Sequence, residues 1–441
     1  MRDVKNFSLW SVAGLVGLGA ALSGCGSGSS NSTDSLRLAN ATLTHPSLDL
    51  LINSAVTLTA TAADTVSAYA APAAGGNTLQ VDDTGSLTAL TTTVPTLSGG
   101  LHYTLLAYES GGTVKTVVLS EDDAVPAVGS AQLRIYDTAL DAGPLDIYIT
   151  APGADLSTLS PTTSFGTLTS VAATTLLPYS AGTYEVRVTG AGNKTDLRLD
   201  MPAVTLTSQQ SVIVALTPAA GGLLLNGSTL VEQGAYAAVR NTNARVRLAS
   251  AVSGGTTTVT ASASNGTTVT PIDGGAAGVA PKLGSYVLVP AGTTSNPTTL
   301  NISVAGQSVG APATALAAGT DATLLVYGTP GATTASLILD DNRPPTNPAY
   351  VKLRLINGVT GNNVGSLAIT APAVSGISTV LPGTASAYGS VLGSTTAVNL
   401  TLTSSTSAGV FYNNPAVTLN PGSVATLMIE GDVSNPQLLI R

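Results

Sequence analysis

Short stretches of alternating apolar and polar residues follow one another along most of this chain. At residues 36–38 (Leu-Arg-Leu) and 133–135 (Leu-Arg-Ile), for example, two apolar side chains flank one charged residue. Successive side chains of a strand point to opposite faces of a sheet, so this pattern predicts strands with one buried face. Frequent Gly, Pro and Asn between the stretches indicate tight turns, and no convincing amphipathic helix follows the first 24 residues. The pattern therefore predicts an all-β protein.

One strand pattern, an arginine between two apolar residues, occurs four times. The arginines are separated by 97, 113 and 107 residues, at Arg37, Arg134, Arg247 and Arg354. Copies one and three both end in acidic residues before proline, at 121–126 and 340–345, which indicates duplication of a two-module unit. Each copy has about 100 residues and about seven short strands, a size typical of an immunoglobulin-like β-sandwich.

We therefore predict tandem immunoglobulin-like β-sandwich modules. The antibody-type cysteine pair and core tryptophan are missing, so the prediction covers the general architecture only. The predicted modules span residues 34–128, 129–228, 244–343 and 344–441, with a linker at 229–243.

The second copy also carries a family resemblance. Residues 133–136 (LRIY), 141–149 (DAGPLDIYI) and 177–188 (LPYSAGTYEVRV) resemble the domain-of-unknown-function family 4397, DUF4397. The resemblance extends to copy four and, by internal analogy, to copies one and three, although copy one has a different sequence at 46–50. It implies tandem β-sandwich modules on lipoproteins of the bacterial envelope, and it implies no catalytic residues.

Residues 1–24 have the pattern of a bacterial lipoprotein signal peptide. Two basic residues, Arg2 and Lys5, precede an apolar segment that is too short for a membrane-spanning helix of about 20 residues. The segment ends in Leu-Ser-Gly-Cys at Cys25, so we expect cleavage before Cys25 and lipid on its thiol, followed by a Ser/Gly tether at 25–33. An ordinary signal peptide with a chance cysteine is the alternative. A lipid anchor with two or more chains would hold the protein in the cell envelope, at the outer membrane or cell surface.

Composition excludes several classes of function. The formal net charge is −8, and the 16 Lys and Arg residues form no basic cluster, so we expect no nucleic-acid partner. Charged residues make up 9% of the chain, against about 25% in ordinary globular proteins, yet a mean hydropathy of +0.35 is too apolar for disorder. With the only cysteine acylated, no thiol remains for a disulfide, a zinc site or a nucleophile. We expect no cofactor.

One serine matches the catalytic pattern Gly-x-Ser-x-Gly, at Ser308. A nucleophile elbow needs a strand-to-helix turn, with the acid and the histidine later in the chain. Here the motif lies between two predicted strands, and both histidines, His45 and His102, precede it. We interpret the motif as a hairpin and predict no enzyme, with an envelope serine hydrolase as the weakest alternative. Neither histidine has a second ligand at metal-site spacing, so no transition-metal site is expected.

Acidic residues concentrate at two predicted module junctions, where calcium is the ion they would suit. The candidate ligands are Asp122 and Asp123 at the first junction and Asp340 and Asp341 at the second. Calcium binds about 6–8 oxygen atoms, and only about three suitable side chains are close in sequence at each junction. We favour the other interpretation: solvated turns, or pairing of Asp123 and Asp341 with nearby arginines.

The four recurring arginines allow two interpretations. An exposed row would suit an anion or a sugar, whereas a paired arginine would fix its strand against an acidic turn of its own module. In copy two, Asp146 is a candidate partner of Arg134. Tyrosines recur near related positions, which is typical of core packing with the hydroxyl at the sheet edge: Tyr69, Tyr179, Tyr286 and Tyr388.

These features predict a non-enzymatic, lipid-anchored protein of the cell envelope with a structural, adhesion or scaffolding role. A carbohydrate-binding surface lipoprotein is the alternative, and it would require exposed tyrosines clustered on one face. The expected partners are the membrane, through the lipid on Cys25, and envelope proteins or glycans.

Overall fold

A computed structural model describes residues 34–441 apart from 73–74, 255–256, 273–277, 294, 313–314 and 362–364. The predicted signal peptide, the tether and Cys25 lie outside the described residues. Strands dominate the described chain, with short 3-10 helices at Leu140–Ala142 and Leu156–Thr158. Within this part, no helix has the length and apolar character needed to cross a membrane.

The strands fall into four groups, which we call modules 1 to 4. Module 1 contains β1–β10, at Ser35–Asn40, Ser47–Ile52, Ala55–Ala62, Thr65–Val66, Gly75–Gly76, Leu79–Asp83, Ala89–Thr93, Thr96–Leu97, His102–Ser110 and Thr113–Ser120. Module 2 contains β11–β20, at Ser130–Asp137, Leu145–Thr150, Thr163–Phe165, Ala172–Ala173, Leu177–Ser180, Gly182–Gly190, Asn193–Leu206, Ser211–Pro218, Leu225–Val231 and Tyr236–Val239.

The second half of the chain repeats this arrangement. Module 3 contains β21–β30, at Asn243–Val252, Thr258–Ser264, Val269–Pro271, Gly278–Val279, Lys282–Leu283, Val287–Pro290, Thr299–Val304, Gln307–Val309, Asp321–Thr329 and Ala332–Asp340. Module 4 contains β31–β37, at Tyr350–Thr360, Leu367–Ala371, Gly389–Leu392, Ser394–Ser404, Val410–Leu419, Val424–Asp432 and Asn435–Ile440.

Each module is a sandwich of two principal sheets around its own apolar core. In module 1 the sheet β10-β9-β1-β4 packs against the sheet β3-β2-β6-β7. The alternation of β1 explains its place, because Leu36 and Leu38 enter the core while Arg37 points away from it. The other three modules have separate cores of the same kind. The predicted all-β class and tandem sandwich architecture are confirmed.

The first strand of every module pairs in parallel with the strand that begins the closing hairpin. These pairs are β1 with β9, β11 with β18, β21 with β29 and β31 with β36. The register places a threonine beside the recurring arginine in three modules, as Thr104, Thr323 and Thr426, and an isoleucine, Ile213, in module 2. The internal repeat of the sequence is thus a repeat of strand register.

The linker predicted at 229–243 is wrong. Its residues complete β19, form β20 and begin β21, and β19 and β20 extend the module 2 sheet by antiparallel pairing. Gly234 lies in the turn between β19 and β20, and Asn241 donates to the carbonyl oxygens of Arg198 and Leu225. Sequence composition could not distinguish short paired strands from a linker, because pairing depends on a neighbouring strand distant in the chain.

Candidate functional site

The recurring arginine of module 1 lies at the centre of a buried polar cluster. Its Nε donates to Thr104 Oγ1 at 2.9 Å, and its Nη2 lies 2.6 Å from Glu121 Oε2. The guanidinium stacks over the Tyr69 ring, 4.8 Å from the centroid, and the Tyr69 hydroxyl donates to Glu121 at 2.9 Å. Burial, together with the negative charge of Glu121, raises the pKa of the Tyr69 hydroxyl. The Arg37 side chain is only 4% exposed, so ligands in solution do not reach it.

Module 3 carries the same four-membered cluster. Arg247 Nε donates to Thr323 Oγ1 at 2.8 Å, and its guanidinium lies 4.7 Å from the centroid of Tyr286. Asp340 takes the place of Glu121: it accepts hydrogen bonds from the Tyr286 hydroxyl and from Thr323. Burial raises the pKa of Tyr286, and the negative charge of Asp340 adds to that increase.

The module 4 arginine joins this same cluster instead of building a separate one. Arg354 forms an ion pair with Asp340 of module 3 and stacks on Tyr388 at 5.0 Å. It also donates to Thr323 Oγ1 at 3.2 Å, while Arg247 donates to Thr426 Oγ1 at 2.9 Å. Each arginine therefore bonds to the threonine of the neighbouring module, and one carboxylate serves both modules.

Module 2 departs from the pattern. Arg134 lies beside Ile213 and pairs with Asp123 at 2.9 Å. The predicted partnership of Arg134 with Asp146 is wrong, because Asp146 lies in the opposite sheet, where it accepts from Ser164 Oγ at 2.6 Å and Gly192 N at 2.8 Å. Tyr179 likewise meets another tyrosine, Tyr184, edge-on at 5.0 Å, and packs against the module core.

The arginine-bearing sheets pack against each other in pairs. Between modules 1 and 2 an apolar cluster includes Ala39, Leu106, Tyr108, Ile213 and Ala215. Between modules 3 and 4 the corresponding cluster is Ala249, Ala251, Leu325, Ile356 and Met428. The polar clusters lie at these two joints. Pairing of the arginines with acidic residues is thus confirmed. The acidic partner lies in the arginine's own module for Arg37 and Arg247, but Arg134 and Arg354 pair with acidic residues that precede their modules.

All four candidate calcium ligands bond to other groups of the protein. Asp122 bonds to His102 Nδ1 at 2.9 Å, Asp123 pairs with Arg134, and Asp340 pairs with Arg354. Asp341 pairs with Arg343 at 2.7 Å and Lys352 at 2.5 Å. Although burial acts in the opposite direction, these two cations lower the pKa of Asp341 to about 2. In the portion of the chain that the structure describes, no group of three or more His, Cys, Asp or Glu side chains could hold a metal ion.

His45 is held in the same way as His102. Its Nδ1 lies 2.7 Å from Asp83 and its Nε2 lies 3.8 Å from Glu109. Glu109 also accepts from the backbone N–H groups of Leu43 and Thr44, so it fixes the turn after β1. Both histidines therefore have structural partners.

The Ser308 motif lies in a hairpin, as predicted. The strands β27 and β28 pair antiparallel, with Ser303 opposite Ser308, and Ala305 and Gly306 form the tip at positive φ. Ser308 lines an open groove of about 540 Å³ together with Thr260, Ser262 and Asn301. None of the described residues lining this groove is a histidine or a carboxylate, the side chains that would activate a serine.

One groove combines aromatic and polar side chains. It follows the segment that joins modules 3 and 4, has a volume of about 440 Å³, and includes Pro345, Asn347, Tyr350 and Tyr388 in its lining. Tyr350 is 39% exposed, while the Tyr388 ring is capped by the Lys352 ammonium at 4.9 Å. Two tyrosine rings thus lie near an amide in a groove of a size that small ligands occupy.

Sequence reasoning missed the threonine positions and the pairing of Glu121 with Arg37. The signal was present, because the closing strands of copies one, three and four place Thr104, Thr323 and Thr426 at matching positions. The sequence did not indicate how the outer sheet face of one module packs on the next module.

Comparison with known proteins gives a family match and similar solved structures. The family model described as "Domain of unknown function (DUF4397)" matches residues 35–148, which include all strands of module 1, β11 and most of β12. No curated protein matches the chain. Among solved structures, a "putative cell adhesion protein" from Bacteroides uniformis ATCC 8492 is 12% identical, with 48% of this chain and 98% of that chain covered and a TM-score of 0.21. At that TM-score the similarity carries no argument about fold or function.

Proposed function

We propose for this chain a non-enzymatic role as a lipid-anchored structural, adhesion or scaffolding protein of the cell envelope. The match of residues 35–148 to the DUF4397 model supports the family resemblance read from the sequence. The observation that supports a structural role most is the use of the recurring arginines. Arg37, Arg247 and Arg354 are 1–4% exposed and bond to neighbouring strands and modules. The most distinctive charged groups of the repeat therefore hold modules together and are not available to a substrate.

Anchoring rests on the sequence around Cys25. Cleavage before this residue and acylation of its thiol would attach 417 residues to the membrane, and the Ser/Gly tether would separate module 1 from the lipid surface. The outer membrane or the cell surface is the proposed location, and envelope proteins or glycans are the proposed partners.

The test is the localisation of the intact protein and of a Cys25→Ala variant, with Ser27→Ala as a matched control outside the cleavage motif. Membrane fractionation, radiolabelled palmitate incorporation and surface protease accessibility are measured together. We expect labelled, membrane-bound wild type and control, and an unlabelled variant released from the membrane. A Cys25→Ala protein that stays membrane-bound would contradict the anchor, and a protease-protected wild type would restrict the role to the periplasm.

The groove beside Tyr350 supports a second candidate, carbohydrate binding. Tyrosine rings provide apolar faces, Asn347 provides an amide, and the charge of Lys352 is neutralised by Asp341 at 2.5 Å. Such a lining would suit a neutral, hydroxyl-rich ligand. Titration with cellohexaose, maltohexaose and chitohexaose tests it: binding lost in Tyr350→Ala but kept in Leu381→Ala, an exposed apolar residue not among those lining the groove, would support this candidate. No saturable binding of any of the three would argue against it.

A further inference from the structure

Two carboxyl groups meet at the junction of modules 1 and 2. Asp123 lies in the segment between β10 and β11, and Glu232 lies in the turn between β19 and β20. The backbone N–H of Asp123 donates to Glu232 Oε2 at 3.1 Å, which fixes the two residues beside each other. Asp123 Oδ1 accepts from Arg134 Nη2 at 2.9 Å. Glu232 is therefore held against the backbone of the residue whose carboxylate pairs with Arg134.

One oxygen of each group is left without a donor. Asp123 Oδ2 and Glu232 Oε1 are buried, and neither has a hydrogen-bond partner among the described residues. Buried acceptors without a donor are rare because they lose their water without replacement. Two ionised carboxylates can only accept, so they cannot satisfy each other; a carboxylic acid beside a carboxylate can.

We propose that Asp123 and Glu232 share one proton at neutral pH, and that this proton closes the junction between modules 1 and 2. With the proton in place, one carboxyl group donates to the other and both buried oxygens are satisfied. Without it, two negative charges would face each other in a partly buried site, and their repulsion would favour separation of the turn from the junction segment.

The charges around the pair leave Glu232 without a cation of its own. Arg134 is occupied by Asp123, and Arg37, which donates to the carbonyl oxygens of Val231 and Gly234 in the same turn, is occupied by Glu121. Two further carboxylates meet the turn: Glu121 Oε2 accepts from Gln233 N at 2.6 Å, and Asp122 Oδ1 accepts from Gln233 Nε2 at 3.1 Å.

The surroundings of Glu232 favour its protonated form. Burial and the neighbouring Asp123 raise the pKa of Glu232 to about 8. Because the two groups interact strongly, the proton belongs to the pair, and its loss is one event in the alkaline range. The junction should therefore be closed in acidic and neutral medium and open progressively above that pH.

The direct test is a carbon-13 NMR titration of the full-length chain labelled at glutamate carboxyl carbons. The chain has five glutamates, and a Glu232→Gln variant identifies the signal of this residue. We expect that signal to titrate well above the ordinary range of about 4–5 for glutamate. Titration of Glu232 within the ordinary range would overturn the proposal.

A second test reports on the junction itself. Amide hydrogen exchange is measured at residues 121–124 and 231–236 from pH 7 to 9, corrected for intrinsic exchange. In the wild type, the protection factors should fall as the pH rises above the titration point. The fall is at most tenfold per pH unit, because one proton is lost. Glu232→Gln should remove this pH dependence. Equal pH dependence in both proteins would overturn the proposal.

Two further variants keep these tests interpretable. Glu185→Gln is the matched control, because Glu185 interacts with Asp200, another carboxyl whose pKa is raised by burial and by Glu185, inside one sheet of module 2. It should leave the pH dependence of the junction unchanged. If Glu232→Gln does not fold, Asp123→Asn serves instead: it removes the acidic neighbour and should bring the Glu232 titration toward the ordinary range.

Discussion

Arg247 and Arg354 belong to different modules, yet each donates to the threonine that lies beside the other. Arg247 Nη2 reaches Thr426 at 2.9 Å and Arg354 Nη2 reaches Thr323 at 3.2 Å. Both guanidinium groups are nearly inaccessible to water, and the carboxylate of Asp340 lies with them. This reciprocal arrangement joins modules 3 and 4 through buried hydrogen bonds and a shared carboxylate.

Removal of Arg354 should destabilise the pair of modules 3 and 4. An Arg354→Ala change leaves the buried Asp340 carboxylate without its closest cation, and breaking a buried ion pair costs about 3–5 kcal/mol. Chemical denaturation monitored by tyrosine fluorescence measures the loss. Arg441→Ala, which removes an exposed arginine bonded to Ser285, is the control, with an expected change within about 0.5 kcal/mol. Equal effects of the two changes would contradict a special role for the joint.

A methyl group at Gly358 should disturb the same joint sterically. A Cβ at this position would lie 2.6 Å from the Cβ of Ala251 in module 3, closer than two carbon atoms can pack. We expect Gly358→Ala to lower the free energy of unfolding by about 1–3 kcal/mol, as overpacking does. Thermal unfolding of both variants measures the effect. Gly310→Ala is the control and should have little effect, because a Cβ at Gly310 meets no atom within 4 Å. An unchanged melting temperature for Gly358→Ala would mean that the modules do not pack closely here.

The hydroxyl of Tyr69 should contribute to stability through Glu121. A Tyr69→Phe change keeps the ring under Arg37 but removes the donor to a buried carboxylate, a hydrogen bond worth about 1.5–3 kcal/mol. The comparison is Tyr184→Phe, whose hydroxyl donates to the carbonyl of Ser180 at an exposed site and should matter less. Urea denaturation of the two variants distinguishes these outcomes, and a larger loss for Tyr184→Phe would refute this account.

Glu430 should make the stability of module 4 depend on pH. Burial raises the pKa of this carboxyl to about 7 from an unfolded value near 4.5. The folded state therefore holds a proton that the unfolded state has lost, so stability is highest below about pH 4.5 and decreases as the pH rises through 7. The decrease should be on the order of 1–3 kcal/mol in unfolding measurements between pH 5 and 8. Glu430→Gln should flatten this dependence; a wild-type profile that rises over the same interval would contradict the prediction.

Much of the architecture could be predicted from local pattern. The alternation around Arg37 and its three counterparts, with apolar neighbours on one face, identified strands, their buried side and the repeat. The hairpin at Ser308 could also be predicted from the sequence, because a glycine-rich turn between two strand-like segments is a local feature. The prediction of a linker at 229–243 was wrong because these strands depend on non-local pairing: β19 pairs with β18, and β20 pairs with β19.

The partners of the charged side chains depended on tertiary structure. Both Asp123 and Asp146 lie near Arg134 in sequence and were candidate partners, and the sandwich places Asp146 in the opposite sheet and Asp123 beside the arginine. Glu121 and Arg37 are 84 residues apart, and Arg354 finds its carboxylate in the preceding module. The sequence by itself determined strands, faces and repeat, since these follow from periods of two residues and from turn chemistry. Only the packing of one sheet face on another decided which charges are buried together, because ion pairs depend on distance in space and not on separation along the chain.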